Sequence, residues 1–350
     1  MEQIGNARPD LRSAIAALQA LMPGAVYTDV DLSALSRWRV GGIADCIVAP
    51  RTLDEIRTLM RFVGDAEIPY VVIGSSSNLM FADEGLRVLG IHFGAEFSQL
   101  RIEGNTVWSQ AGVWVPEFAR QVARAGLTGA EHVCGIPGTL GGLIYMNGGS
   151  QRKGIGDNIA EVTTITPSGD IQRYDQTSCS FAYRASRFQA SNDIILEARF
   201  QFDHSGEADA IRRSMLSILR QRREKFPRKL PNCGSVFVSN PAMYDEYGPP
   251  GAVIEQCGLK GVVHGGAQIS PLHANFIVNN GRATASDLLY LIHKVRDTVR
   301  ARTGYDMPAE VRYLTPEGEL TPAHLKAEQL FRQPAPVTAP ANRFDAASSR

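Results

Sequence analysis

The chain has no excess of charge of either sign: 36 Lys and Arg are offset by 36 Asp and Glu among 350 residues. That excludes a protein working through a global basic field, as general nucleic-acid binders do, and leaves room only for a local basic pocket. No run of about 18 apolar residues occurs, so no membrane-spanning helix is expected. Cysteine is scarce and unpatterned. The five, at positions 46, 134, 179, 233 and 257, never form a CxxC pair, which argues against a disulfide framework or a zinc site and fits a reducing cytoplasm. The seven histidines show no ligand spacing, and no metal is expected. Two glycine signatures are also missing. No GxGxxG sits between a strand and a helix with an acid about 20 residues on, and no GK[ST] follows a loop, so neither a Rossmann nor a Walker site is present.

What is there is an alternation of strands and helices. Leu11, Ile15, Leu18 and Met22 share one helical face, and Pro23 stops that helix; we read a docking segment within a 1–35 lead-in, not a signal core. A strand is predicted at 45–50, then a helix opened by a Thr52/Glu55 capping box and buried through Ile56, Leu59, Met60 and Val63. Tyr70–Ile73 is a continuous apolar strand that runs straight into Gly74–Asn78 (GSSSN). Further strands are expected at 86–93, 106–110, 161–166, 194–202 and 275–279, and a helix from Pro116. Composition shifts near His204, where a helix over 207–224 ends in RQRREKFPRK and is broken by Pro227 and Pro231. Thr284 and Asp287 cap a last long helix with Leu288, Leu291, Ile292, Val295 and Val299 on its apolar face. Domains are thus expected at 36–203 and 204–316, with a disordered tail over 317–350 rich in Pro, Ala and Ser.

Two small-residue loops stand out. Gly74, Ser75, Ser76, Ser77 and Asn78 can present successive backbone N–H groups and hydroxyls to a pyrophosphate, although a plain turn has the same composition. The second is GIPGTLGGLIYMNGG, residues 135–149, with six Gly and one Pro; it lets the backbone approach something closely, a ligand or its own core. Gly135, Ile136, Pro137, Gly138, Gly141 and Gly142 are its candidate contacts. Two such loops far apart in sequence suit an extended dinucleotide such as FAD.

Taken together, RVGG with Ala44–Asp45, GSSSNLM, GIPGTLGG with YMNGG, FAYRASRF (181–188), GSVF (234–237) with Asn240–Pro241, SPLHANFIVN (270–279) and PAEVRYL (308–314) resemble, in order, the UDP-N-acetylenolpyruvoylglucosamine reductase family. The resemblance covers residues 36–314 and implies a two-lobed FAD-binding module of the vanillyl-alcohol-oxidase (PCMH) type, then an α+β substrate-binding domain. The short span from Ser235 to Glu310 resembles the variety without a tyrosine-bearing substrate loop. Implied with it are non-covalent FAD, NADPH as hydride donor and a nucleotide-sugar substrate reduced in peptidoglycan precursor synthesis. No nucleic-acid or membrane partner is expected, and the sequence is silent on oligomeric state, with a monomer favoured.

The implied reaction passes a hydride from NADPH to the flavin and from the flavin to C3 of an enolpyruvyl ether. Charge then spreads from C2 into the adjacent carboxylate, and C2 finally takes a proton. Arg184 matches the family's active-site arginine, whose planar fork suits a carboxylate. Ser235 matches the proton donor to C2, and Glu310 the carboxyl that assists the enolate, which calls for a raised pKa. By residue type alone, Arg184 equally suits a surface position, Ser235 a turn, and Glu310 a pair with Arg312. Tyr183, Asn240 and one of Arg228 or Lys229 are the expected substrate contacts, the last two facing the diphosphate; a solvated helix end is the other reading of that basic stretch. Cys134 and Cys233 read as packing residues, and His273 as structural. The family commonly carries Gly-rich GGGSN and a lysine after GSVF, where this chain has GSSSN and Val238–Ser239. The missing lysine keeps open a paralogous flavin reductase for another enolpyruvyl or nucleotide-sugar substrate.

Overall fold

The computed structural model describes residues 11–205 and 207–332. The expectations for the first ten residues and for 333–350 lie outside them. The first lobe is a four-stranded sheet in the order Val26–Asp31, Ile43–Val48, Leu89–His92, Tyr70–Ile73. The first pair is antiparallel and the other two are parallel. The helix Leu53–Asp65 buries the predicted stripe Ile56, Leu59, Met60 and Val63. Thr52 accepts from the Glu55 amide at 3.1 Å, while the Glu55 carboxylate reaches back to the Arg51 amide at 2.7 Å. Such a cap contributes about 1 kcal/mol. The N-terminal helix Leu11–Leu21 docks on this lobe through Leu11, Ala14 and Leu18. Tyr70–Ile73 is an edge strand of this sheet, and residues 74–78 follow it directly.

The second lobe is an antiparallel sheet in the order Ile171–Asp175, Ile159–Ile165, Ile194–Gln201, Thr106–Gln110, Leu100–Glu103. Alternation along Ile194–Gln201 puts Ala198 and Phe200 inside and Arg199 and Gln201 outside. Phe200 packs on Phe118 of the helix Val115–Arg124, ring centroids 4.9 Å apart, and Phe202 lies 6.1 Å from the same ring. Truncating Phe118 to Ala would cost about 3–5 kcal/mol.

A domain boundary at 204 is not where the packing changes. The helix Ala208–Lys225 lays Met215, Ile218 and Leu219 on the core of the second lobe. The composition shift marks a strand giving way to an amphipathic helix with a solvated basic face. The C-terminal domain is organised around the helix Ala285–Thr303, whose Thr284/Asp287 capping box is complete. Against it lie the strands Val263–His264, Ala267–Ile269 and Ile277–Asn279. Its core also takes Trp38, Val40, Met80 and Ala82 from the front of the chain. Trp38 Nε1 donates to the Ile277 carbonyl at 2.6 Å, and Asn279 Nδ2 donates to the Trp38 carbonyl at 2.8 Å.

Arg312–Leu314 then returns to the first half of the chain, pairing in parallel with Leu79–Phe81. The tail expected from 317 is corrected here. Leu320–Pro322 adds an antiparallel strand to Arg312–Leu314, and the helix Ala323–Phe331 packs on Ala285–Thr303 with Ala323 and Ala327 fully buried. Alanines four residues apart read as low complexity, yet they are small enough for close helix contact. Arg296, 6% exposed, locks the arrangement by pairing with Asp306 at 2.8 Å and Glu328 at 3.4 Å. Among the described residues no helix is long and apolar enough to cross a membrane.

Candidate active site

Both lobes and the C-terminal domain enclose a cavity of about 880 Å³, toward the upper end for small-ligand sites. Gly74–Asn78 and Ile136–Gly142 line it together and touch each other. A Cβ on Gly74 would lie 2.4 Å from Thr139 Oγ1, and one on Gly138 3.1 Å from Ser77 Oγ. Ser76 adopts φ 50°, a strained position for a residue with a side chain. Its hydroxyl is buried without a hydrogen-bond partner. An unpaired buried hydroxyl costs about 1–3 kcal/mol, so this one is poised for a ligand acceptor. Glycine backbone, small hydroxyls and apolar walls fit a flavin dinucleotide.

Arg184, Ser235 and Glu310 all line the same cavity. Ala182 and Ala185 exchange backbone hydrogen bonds of 3.0 and 3.1 Å, so Tyr183 and Arg184 form the tip of a tight turn, with Arg184 at φ 56°. Asn147 braces that turn: its Nδ2 donates to the Ala182 carbonyl at 2.9 Å while its Oδ1 accepts from the Gly156 amide. The Arg184 guanidinium donates to the Gly149 carbonyl at 3.2 Å, and its Nε stands 2.8 Å from Glu310 Oε1. That close approach is an ion pair by distance, but the Nε–H is not aligned as a hydrogen bond. Charge more than direction holds the pair, and the guanidinium keeps donors for a second carboxylate.

Burial pushes the Glu310 carboxyl above its ordinary range, and Arg184 opposes the shift without cancelling it. By distance the Glu310 carboxylate pairs with Arg184, not with Arg312. Ser235 follows Gly234, which sits at φ 81° with open space where a Cβ would be. Beyond the serine, Asn275 clamps Phe237 by accepting from its amide at 2.9 Å and donating to its carbonyl at 3.1 Å.

Five expected contacts do not reach the cavity wall. Tyr183 is 61% exposed and lies under the Arg184 guanidinium, 5.0 Å from ring centroid to charge. Asn240 caps the helix Pro241–Tyr247 by accepting from the Ala242 amide at 3.1 Å. Arg228 and Lys229 are exposed beyond the end of the preceding helix. Gly135 is absent from the lining because Arg222 covers it; a Cβ there would fall 2.5 Å from Arg222 Cδ. The side chain of Asn78 turns to the Glu310 carbonyl, 3.1 Å away. Cys134 and Cys233 are buried, with thiols pushed up to about 11 and about 12 by desolvation. His273 packs its ring among Phe226 and Phe276.

Reasoning from sequence missed three side chains. Arg222 lines the cavity, half-buried and stacked 4.8 Å from the Phe226 ring, and no carboxylate among the described residues lies within ion-pair distance. Its signal was legible: it falls four, seven and eleven residues after Ile218, Met215 and Ile211, on the buried face of its helix. Arg312, also in the lining, donates to Gln189 Oε1 at 2.9 Å. Gln189 in turn donates to the carbonyls of Arg184 and Tyr145, both at 3.0 Å, tying the Arg184 turn to YMNGG. Nothing in spacing or residue type marked Gln189.

Residues 44–175 match the FAD binding domain family, and residues 226–314 match the UDP-N-acetylenolpyruvoylglucosamine reductase, C-terminal domain. UDP-N-acetylenolpyruvoylglucosamine reductase 1 of Corynebacterium glutamicum is 44% identical over 302 residues, covering 86% of this chain and 90% of that one. Reductase 2 of Symbiobacterium thermophilum is 38% identical over 290 residues, with 83% and 92% covered. The crystal structure of the reductase from Thermus caldophilus superposes with a TM-score of 0.70 at 30% identity, covering 81% of this chain and 97% of that one. With an FAD-binding domain, the matching C-terminal domain and relatives alike over most of its length, the chain belongs to the UDP-N-acetylenolpyruvoylglucosamine reductase family of oxidoreductases.

Proposed function

We propose that the protein reduces the enolpyruvyl ether of UDP-N-acetylglucosamine-enolpyruvate to UDP-N-acetylmuramate, using non-covalent FAD and NADPH, in the cytoplasmic stage of peptidoglycan precursor synthesis. One observation carries the reading: a guanidinium, a hydroxyl and a desolvated carboxyl group converge on the cavity that the two glycine loops line. When bound, FAD supplies hydride delivery to the alkene carbon. Everything else falls to side chains. Arg184 holds the substrate carboxylate and favours the charge that develops there. Burial already raises the Glu310 carboxyl, a second negative charge on the shared guanidinium favours its protonation further, and in that form it can donate a hydrogen bond to the enolate oxygen. Ser235 delivers the proton to C2. Arg222, a cation without an acidic partner, faces the diphosphate of a bound nucleotide in place of Arg228 or Lys229. Because all of these groups come from one chain, the monomer suffices.

The test is an anaerobic titration of the purified protein. It should be yellow, bleach with NADPH, and recover its colour with the enolpyruvyl sugar nucleotide. Bleaching without recovery would move the protein to a paralogous substrate. Protein that carries no flavin and gains none from FAD would end both readings.

A further inference from the structure

We propose that Asn78 is a positioning residue for Glu310: its side-chain amide fixes the peptide from which the catalytic carboxyl projects, and so joins the cofactor loop to the acid. This rests on the function proposed above. The parallel pair Arg312–Leu314 with Leu79–Phe81 is regular, and its last ladder bond runs from the Arg312 amide to the Asn78 carbonyl at 3.1 Å. One step further, a regular parallel ladder would use the backbone N–H of residue 78 on the carbonyl of residue 310. Here the Asn78 side chain takes that place, its Nδ2 donating to the Glu310 carbonyl at 3.1 Å. The substitution releases a backbone N–H of the small-residue loop from the ladder without orphaning the Glu310 carbonyl.

The other backbone group of Glu310 is held from the opposite side. Its amide donates at 2.8 Å to the carbonyl of Val236, the residue after Ser235. One residue therefore bridges the cofactor loop and the serine loop through its two backbone groups, and its side chain meets Arg184 at 2.8 Å. A third tie, from Cys233 Sγ to the Ser76 carbonyl at 3.4 Å, joins the same two loops. The charged and titratable groups packed around the Glu310 carboxyl are Arg184 across the cavity and Arg312 two residues on, at the start of the following strand, with Tyr145 beside Arg312. Only Arg184 is close enough to act on it directly. Freeing one side of the peptide lets the carboxyl drift relative to that guanidinium, and a displacement of about 1 Å in a reacting group can cost roughly 100-fold.

The test uses Asn78→Ala and Asn78→Asp, the second nearly isosteric but without the donor. Three readouts are compared with the native holoenzyme: flavin affinity by fluorescence titration, bleaching by NADPH, and reoxidation by the enolpyruvyl sugar across pH. Expected are flavin affinity within about threefold, near-native bleaching, and reoxidation slowed about 10–100-fold with the Glu310 limb of its pH profile displaced. Combining Asn78→Ala with Glu310→Gln should add little to Glu310→Gln alone. Should Asn78→Ala fail to fold, Asn78→Asp gives the same comparison. Flavin affinity and both half-reactions falling together would make Asn78 a cofactor ligand and overturn the proposal, as would full additivity with Glu310→Gln. If native protein is not reoxidised by the sugar, it is the functional reading that fails. The positioning role is then judged from the Glu310 carboxyl by infrared titration, where an unchanged midpoint in Asn78→Asp would overturn it.

Discussion

The cavity wall formed by Gly74–Asn78 and Ile136–Gly142 offers hydroxyls, glycine backbone and no charge, whereas the rest of the lining holds Ser235 and the charged groups, among them Arg184, Arg222, Arg312 and Glu310. The first holds by shape: its tolerance is set by where a Cβ would fall, and Gly74 against Thr139 leaves none to spare. The second holds by charge in a partly dry setting, where one cation removed strands the carboxyl that faces it. Lesions in the shape wall should therefore cost cofactor affinity, except at Asn78, whose side chain is turned to the Glu310 carbonyl, and lesions in the charge wall should cost turnover or nucleotide affinity.

The largest expected effect is in the charge wall. Ser235→Ala should slow flavin reoxidation by the sugar substrate about 100- to 10,000-fold in stopped flow, with NADPH bleaching persisting; equal loss in both would make Ser235 structural. Arg184→Ala should cost about 100- to 1,000-fold in the same step, and Arg184→Lys should recover only part, since an ammonium cannot fork across a carboxylate. Arg222→Gln should weaken nucleotide binding about 10- to 100-fold, the range for hydrogen bonds to charged groups. Calorimetry with FAD on apoprotein and with the uridine nucleotide on holoenzyme tells which diphosphate it meets, and no loss for either breaks the assignment. In the shape wall, Gly74→Ala should cut flavin affinity about tenfold, with partial rescue by Thr139→Ala, which removes the atom in the way.

The smallest effect is thermodynamic. Glu310 binds its proton more tightly folded than unfolded, so stability should fall as pH rises from the ordinary glutamate range through the folded value. Glu310→Gln should flatten that slope in thermal melts taken across pH, and an unaltered slope would place the titration elsewhere.

The charge wall was legible where a residue type sat in a dense motif: FAYR, GSVF and PAEVR each delivered a group to the cavity. It was not legible where the residue lay in a run of its own kind. Arg222 sits in RQRREKFPRK, and choosing it required the helical phase of Ile211, Met215 and Ile218, while the two cations favoured instead follow the proline that ends the helix. Strands flanked by turns were found within a few residues, as at Tyr70–Ile73 and Thr106–Gln110. The strand Leu320–Pro322 and the helix after it were not, because alanine and proline carry no periodic signal and their burial depends on a partner 30 or so residues earlier in the chain. The boundary at 204 failed for a related reason: composition records solvent exposure, and only packing records membership of a core.

Trp38 has consequences for how the molecule is born. A ribosome releases this indole when the carbonyl that receives its N–H, 239 residues downstream, has yet to be synthesised. Until then a large apolar ring, wholly enclosed in the finished protein, has no home. The two halves cannot mature as independent beads on a string. A C-terminal fragment expressed alone would carry a vacancy the size of a tryptophan at its centre, and co-expression with the N-terminal half should be what restores its solubility.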